Sequence, residues 1–141
     1  MNDKTLASLK AARAMLKDEA SWTQGVSRRN EHGEMADYDD GAVCQRCLGA
    51  ALVDAALQVN RDDYAAYIGL VDGVHKALAA TNFAGPRGLS REMAGHRHST
   101  NAFRVVVAND WKNTAHADVL RWIDGAIEHV AALLARTRRV S

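Results

Sequence analysis

The chain has 141 residues, 48% of them hydrophobic, with a single proline and a formal net charge of +1. This length and composition predict one soluble globular domain and exclude an intrinsically disordered protein, because a chain of this size can bury a sizeable core. The small net charge excludes a general electrostatic attraction to nucleic acid or membranes, and no apolar run reaches the length of about 18 residues that a membrane-spanning helix needs.

The first predicted helix covers about residues 5–20, where leucines and alanines recur at helical spacing beside a stripe of basic residues. Gly25 follows it and can adopt the positive φ at which many helices end. The next residues are polar and rich in turn formers, so the segment 23–40 is predicted to be an ordered loop or a short hairpin.

Two alanine-rich helices are predicted to follow. Asp39 or Asp40 can cap the first, which is predicted to run to about Gln58 with its apolar face turned inward. The second is predicted over about residues 62–80 and opens on two aspartates. Their many small side chains would suit close packing within the chain or, equally, a homodimer interface.

The last third of the chain begins at a break over residues 81–88, where glycine and proline interrupt the helical pattern. Ser90 can cap a short helix that ends near Gly95. The stretch 102–108 holds three consecutive valines, but it is predicted to be helical because no second strong strand is present to pair with it.

The final helix is the most regular element of the sequence. Thr114 is predicted to be its N-cap, and Asp118 places negative charge near the positive end of the helix dipole. Apolar residues recur at helical spacing over 119–134, so this helix is predicted to be buried and to close the core. Together the elements predict an all-α fold: a compact single domain, residues 1–141, of about five to six helices with a polar loop or short hairpin at 23–40.

Several short motifs of this sequence resemble a known family. They are, in chain order, Trp22-x-Gln24-Gly25, a glycine turn at Gly33, Cys47-Leu48-Gly49-Ala50, Asn109-Asp110, Thr114-x-x-x-Asp118-Val119-Leu120 and Asp124-x-Ala126-Ile127. The set resembles a small bacterial and phage family catalogued as domain-of-unknown-function family 6197. The resemblance implies a compact helical domain and, because the family is common in phage-related sequence, an accessory or anti-defence role. It carries over no catalytic residue.

The pair Cys44-x-x-Cys47 is the first candidate site. Thiolates at a helix N-terminus can bind metal or exchange disulfides, and with His96 and His98 they would make a Cys2His2 zinc site. However, about 50 residues separate the two pairs, and both cysteines fall on the predicted buried face. Free cysteines usually behave as small buried hydrophobes, so the favoured interpretation is two core residues without a cofactor, with zinc or redox chemistry as the alternative.

The segment 87–104 is the second candidate site. Its basic residues and histidines, opposed by the single acid Glu92, are Arg87, Arg91, His96, Arg97, His98 and Arg104. Such a set can bind phosphate, nucleic acid or an acidic protein surface. Phe103 is the only aromatic ring interleaved with them, which weakens a single-stranded nucleic-acid interpretation, and a solvated basic loop is the simplest interpretation.

The pair Asn109-Asp110, with His98 or His116, would suit a hydrolytic site, but no nucleophile motif accompanies it. Asp110 and Asn113 are therefore predicted to make local turn hydrogen bonds. The three tryptophans are predicted to pin helix ends, with Gln24 and Asp110 as candidate partners for their indole N–H groups.

These observations predict a non-enzymatic binding protein that acts through a protein partner. The alternatives are a small metal-dependent or redox enzyme using Cys44 and Cys47 with His96 and His98, and a nucleic-acid-binding module that acts through the segment 87–104. A homodimer is also compatible with the sequence, and no membrane association is expected. The N-terminus lacks the apolar segment of a signal peptide, and two cysteines three positions apart do not make a disulfide framework, so a cytoplasmic location is expected.

Overall fold

The computed structural model describes residues 2–37 and 42–140, which form six α-helices and one small antiparallel sheet. The helices are α1 (Asp3–Met15), α2 (Leu48–Val59), α3 (Tyr64–Ala79), α4 (Leu89–Ala94), α5 (Asn101–Asp110) and α6 (His116–Val140), and the strands are β1 (Arg28–Asn30) and β2 (Val43–Arg46). The predicted helical character is confirmed, with a two-stranded sheet added to it. Within the described residues, none of the helices has the length and apolar character required to cross a membrane.

The core lies between α1, α2, α3 and α6. Helix α1 packs against the other three, and α5 packs against α2 and α3. Trp122 of α6 is 2% exposed and meets the fully buried Phe83 ring edge-on, with 5.3 Å between the ring centroids. Burying a large aromatic side chain stabilises the folded state, so this pair makes α6 a central element of the core.

Helix α6 confirms the prediction that its apolar face is buried, since Val119, Ile123, Ala126 and Val130 are all 0% exposed. Its predicted N-cap was wrong. The helix begins at His116, and the hydroxyl of Thr114 donates to the carbonyl of Ala108 at 2.8 Å.

The negative charge predicted near the start of α6, that of Asp118, does stabilise this end of the helix. The carboxylate of Asp118 accepts a hydrogen bond from the backbone N–H of Ala115 at 2.8 Å, which satisfies one of the donors that a helix start leaves free.

Helix α1 is shorter than predicted. It ends at Met15, and a single 3-10 turn follows at Glu19–Ser21. The side chain of Leu16 is fully buried at this point. Nε2 of His116 lies 2.6 Å from the carbonyl oxygen of Leu16, so a side chain from the other end of the chain satisfies a carbonyl at the helix end.

The start of α2 differs most from the prediction. Residues 43–46, predicted to be helical, form β2 and pair antiparallel with β1, with Arg46 opposite Arg28. The loop or short hairpin was predicted within 23–40, a range that contains β1 but not its partner strand. The helix begins at Leu48, and the two predicted caps, Asp39 and Asp40, lie outside the described residues.

The remaining helices lie close to their predicted ranges. Asp63 caps α3 by accepting from the backbone N–H of Ala66 at 3.1 Å, and the segment 102–108 is helical as predicted, inside α5. The predicted cap of α4 was wrong, since Ser90 lies within that helix. Gly88 precedes it with φ +83°, a backbone conformation that favours glycine.

Candidate functional site

The fully buried side chain of Asn109 joins three distant parts of the chain. Its Oδ1 accepts hydrogen bonds from the indole Nε1 of Trp22 at 2.7 Å and from the backbone N–H of Leu48 at 3.0 Å. Its Nδ2 donates to the carbonyl of Thr23 at 3.1 Å and to Oδ1 of Asp110 at 2.9 Å. All four polar contacts of this amide are therefore used within the fold.

Neighbouring residues extend this network, which we call the Asn109 junction: Trp22, Gln24, Gly25, Leu48, Asn109 and Asp110. Nε2 of Gln24 donates to the carbonyls of Asn109 and Trp111, at 2.7 and 3.1 Å. The N–H of Gly25 donates to Oδ1 of Asp110 at 3.0 Å. Residues from three of the motifs that carry the family resemblance thus meet at one place, and their role there is to hold the fold together.

The junction changes two sequence interpretations. Asp110 and Asn113 were predicted to make local turn hydrogen bonds, but Asp110 bonds to Gly25 and the side chain of Asn113 donates to the carbonyl of Arg87 at 2.9 Å. The indole of Trp22 donates to Asn109, where Gln24 or Asp110 had been predicted as a partner. The indoles of Trp111 and Trp122 donate to backbone carbonyls, those of Arg87 and Ala84, at 2.8 and 2.9 Å.

The two cysteines have different environments. Cys47 is 8% exposed and caps α2, its sulfur accepting from the backbone N–H of Ala50 at 3.3 Å. Cys44 lies on β2 and is exposed, so the prediction that both thiols are buried was right for Cys47 and wrong for Cys44. The reason is that a strand followed by a cap replaces the helix on which both were expected to share a face.

The four residues of the zinc alternative do not come together as a ligand set. Nε2 of His96 lies 3.2 Å from Oε1 of Glu92, its ring packs on Phe103 with 5.4 Å between centroids, and His98 is exposed. In the described ranges, 2–37 and 42–140, no three His, Cys, Asp or Glu side chains are grouped so that they could hold a metal ion.

The thiols are expected to react at very different rates. Burial raises the pKa of Cys47, and only the thiolate is a good nucleophile, so a disulfide reagent should modify Cys44 rapidly and Cys47 slowly. Absorbance should report one thiol per native chain and two after denaturation. The variant Cys44→Ser should lose the fast phase. Equal fast reaction of both thiols would contradict the capping role of Cys47.

The basic segment extends from Arg87, just before α4, through that helix and the turn after it to Arg104 in α5, and the two helices pack against each other. At its beginning, the carbonyl of Arg87 accepts from Trp111 and Asn113, which follow the end of α5. At its end, the ring of His96 packs on Phe103, in the first turn of α5. The sequence-predicted binding residues therefore form a strip and not a single cluster.

Most of this strip is exposed to solvent and therefore accessible to a partner. Arg87, Arg91, Arg97 and His98 are exposed and form no ion pair with any described residue, whereas Arg104 is half-buried. Two apolar side chains of α5 beside it are unusually exposed: Phe103 at 49% and Val106 at 43%. We call the four exposed basic residues together with Phe103 and Val106 the basic face.

A buried ion cluster was not predicted. The Asp54 carboxylate, on α2, accepts from Nε of Arg28 at 2.9 Å and from Nε of Arg46 at 2.8 Å. The side chains of Asp54 and Arg28 are 11% and 13% exposed, and the hydrogen bonds to Asp54 raise the pKa of Arg28 above its ordinary value. Asp54 is the only charged residue of α2, and that isolation was the one signal in the sequence that could have revealed the cluster.

Comparison with known proteins gives one result. No curated protein and no solved structure matches the chain significantly. The profile of a family described as a family of unknown function, DUF6197, matches residues 1–129. This range contains the whole Asn109 junction and the ion cluster, and it covers all the described elements except the end of α6. The chain therefore belongs to the DUF6197 family, as the motif resemblance implied.

Proposed function

We propose that this protein is a non-enzymatic binding domain whose basic face binds an acidic surface of a protein partner. The observation that carries the proposal is the combination, on the basic face, of exposed basic side chains that form no ion pair with any described residue and the exposed apolar side chains of α5. Arginine and aromatic residues are enriched in protein interfaces, where apolar anchors lie at the centre and charges at the rim. Such charges mainly raise the association rate and select the partner.

Several polar groups that the sequence offered for chemistry have structural uses instead, which supports binding over catalysis. Asn109 and Asp110 are committed to the junction, Cys47 caps α2, and His116 bonds to a backbone carbonyl. A protein partner is favoured over nucleic acid because the face carries one aromatic ring, and stacking on single strands usually requires several. Occupying a partner's surface is also the mode expected of the accessory or anti-defence role that the resemblance implies.

A charge reversal tests the proposal. Arg91→Glu with Arg97→Glu changes two exposed residues of the basic face, and Lys10→Glu with Lys17→Glu changes two exposed lysines elsewhere by the same charge. Tagged chains would be used to purify partners from nuclease-treated lysate of the native host, followed by quantitative mass spectrometry. We expect one protein to be enriched by the unmodified chain and the lysine control, and reduced about tenfold or more by the arginine pair.

Salt and nuclease decide between the alternatives. Binding through the basic face should weaken as salt rises, because exposed charges are screened over about 8–10 Å at physiological ionic strength. A partner retained equally by both charge-reversed chains would contradict the proposal. An association that is seen in a parallel purification from untreated lysate and is lost in the nuclease-treated lysate would replace it with nucleic-acid binding through the segment 87–104.

A further inference from the structure

A small pocket of about 320 Å³ lies where the residues before α4 meet the turn that follows α5. Its lining consists of Arg87, Gly88, Trp111, Lys112 and Asn113. The volume is at the lower end of the usual range of small-molecule sites, about 300–1,000 Å³, so a ligand of this pocket has to be compact. We infer that the pocket binds a phosphate group, either inorganic phosphate or the phosphate of a small monoester. This function goes beyond the proposed contact with a protein partner.

Hydrogen bonds across the two segments hold the pocket in shape. The carbonyl of Arg87 accepts from Nε1 of Trp111 at 2.8 Å and from Nδ2 of Asn113 at 2.9 Å. The N–H of Thr114 donates to the carbonyl of Trp111 at 2.9 Å, which closes the turn over residues 111–114. A Cβ at Gly88 would lie 3.1 Å from Cζ2 of Trp111, so only glycine lets the backbone come this close to the indole. A pocket held in this way needs little further ordering when a ligand binds.

The charges that line the pocket match a phosphate group. Arg87 and Lys112 are exposed, and neither forms an ion pair with a described residue. Nζ of Lys112 lies 5.9 Å from the ring centroid of Trp111, which places this charge beside the wall of the pocket. The two cations together carry about the charge that balances a phosphate monoester near neutral pH, whereas a single carboxylate would leave one of them uncompensated.

Nearby acids reduce this positive charge without cancelling it. Residues 85–95 and 109–115 together contain three basic residues and two acids, Glu92 and Asp110, which leaves a net charge of +1. Oε1 of Glu92 lies 3.2 Å from Nε2 of His96, and Oδ1 of Asp110 accepts from the N–H of Gly25 at 3.0 Å. Neither acid is among the residues that line the pocket. Both carboxylates are therefore engaged with groups outside it.

The turn after α5 offers backbone donors as well. The N–H groups of Lys112 and Asn113 donate to no other described residue, and both residues line the pocket and are exposed. Successive N–H groups in a turn are a common way in which proteins bind anions. These two donors are held by the closed turn, so they are available to a bound phosphate without rearrangement of the backbone.

An NMR titration of the full chain at pH 7.5 and constant ionic strength tests the inference, with inorganic phosphate, methyl phosphate and acetate as probes. We expect saturable shifts of the backbone amides of residues 87–88 and 111–113 and of the indole N–H of Trp111. Acetate should bind at least about fivefold more weakly than the better phosphate probe. The tighter of the two phosphate probes shows whether the free ion or a monoester is the ligand.

Variants of exposed residues make the test specific. Arg87→Gln and Lys112→Gln should each weaken binding of the better probe about fivefold or more, because each removes one of the two cations. Arg61→Gln and Lys10→Gln remove the same charges from exposed residues elsewhere and should leave binding unchanged.

Four results would overturn the inference: shifts centred outside the pocket, no saturation up to about 20 mM phosphate, equal binding of acetate, or undiminished binding by Lys112→Gln. Lys112 is not part of the basic face, and the titration contains no protein partner. The phosphate site and the proposed function therefore fail separately.

Discussion

Replacing Asn109 with alanine is expected to lower the free energy of unfolding by about 3–5 kcal/mol, because it leaves several buried polar groups without partners. The change removes the acceptor of both the Trp22 indole and the Leu48 N–H, and the donor to the Thr23 carbonyl. Leu48 is the first residue of α2, so its N–H has no acceptor within the helix. Urea unfolding followed by circular dichroism and tryptophan fluorescence measures the loss.

Asn113→Ala is the matched control for this variant. Its amide also donates across the chain, to the carbonyl of Arg87, but the contact is exposed, so we expect a loss of less than about 1 kcal/mol. Asn109→Asp should remain strongly destabilised, because it keeps the acceptor but places a carboxylate against the Thr23 carbonyl and Asp110. If Asn109→Ala were no more destabilised than Asn113→Ala, the junction would not be a principal support of the fold.

The elements that could be predicted from sequence are those whose signals are local. Helix α6 carries its apolar stripe over consecutive turns, and α3 and α5 have side-chain caps next to their first turns. These features depend on residues three or four positions apart, which a periodicity analysis detects directly. The burial of α6 follows from the same stripe.

The start of α2 could not be predicted in this way. Residues 43–46 have an apolar pattern compatible with a helix, but their backbone pairs with β1, and the N–H of Cys47 bonds to the carbonyl of Ser27 at 2.8 Å. This pairing joins segments about 20 residues apart, so no local window contains it. The exposure of Cys44 is a direct consequence.

The candidate sites were predicted only in part. Most basic residues of 87–104 are exposed as their charge suggested, whereas His96 and Arg104 are half-buried, and their arrangement as a strip depends on how α4 lies against α5. The junction contains motif residues that the sequence analysis had singled out, yet Gln24 and Asn109 are 85 positions apart. Local turn bonding is the default for Asn and Asp, and here tertiary contacts replace it.

Replacing Asp54 with alanine is expected to lower the free energy of unfolding by about 3 kcal/mol, the second large effect. The change leaves the guanidinium groups of Arg28 and Arg46 partly buried beside each other with their shared counter-charge removed. Like charges held close together in a poorly solvated place repel, and neither can deprotonate near neutral pH. Chemical denaturation measures the loss, and the native structure is checked first by circular dichroism.

The control for this prediction is Asp124→Ala, which breaks an ion pair with Arg13 at the surface. Its N–O distance is 2.9 Å, but the two side chains are 32% and 52% exposed, so we expect a loss of less than about 1 kcal/mol. Salt separates the two pairs further. About 0.5 M sodium chloride should remove most of the Asp124 effect and little of the Asp54 effect, because buried charges are screened less than exposed ones. Equal losses for the two variants at both salt concentrations would mean that the Asp54 cluster contributes no more than a surface ion pair.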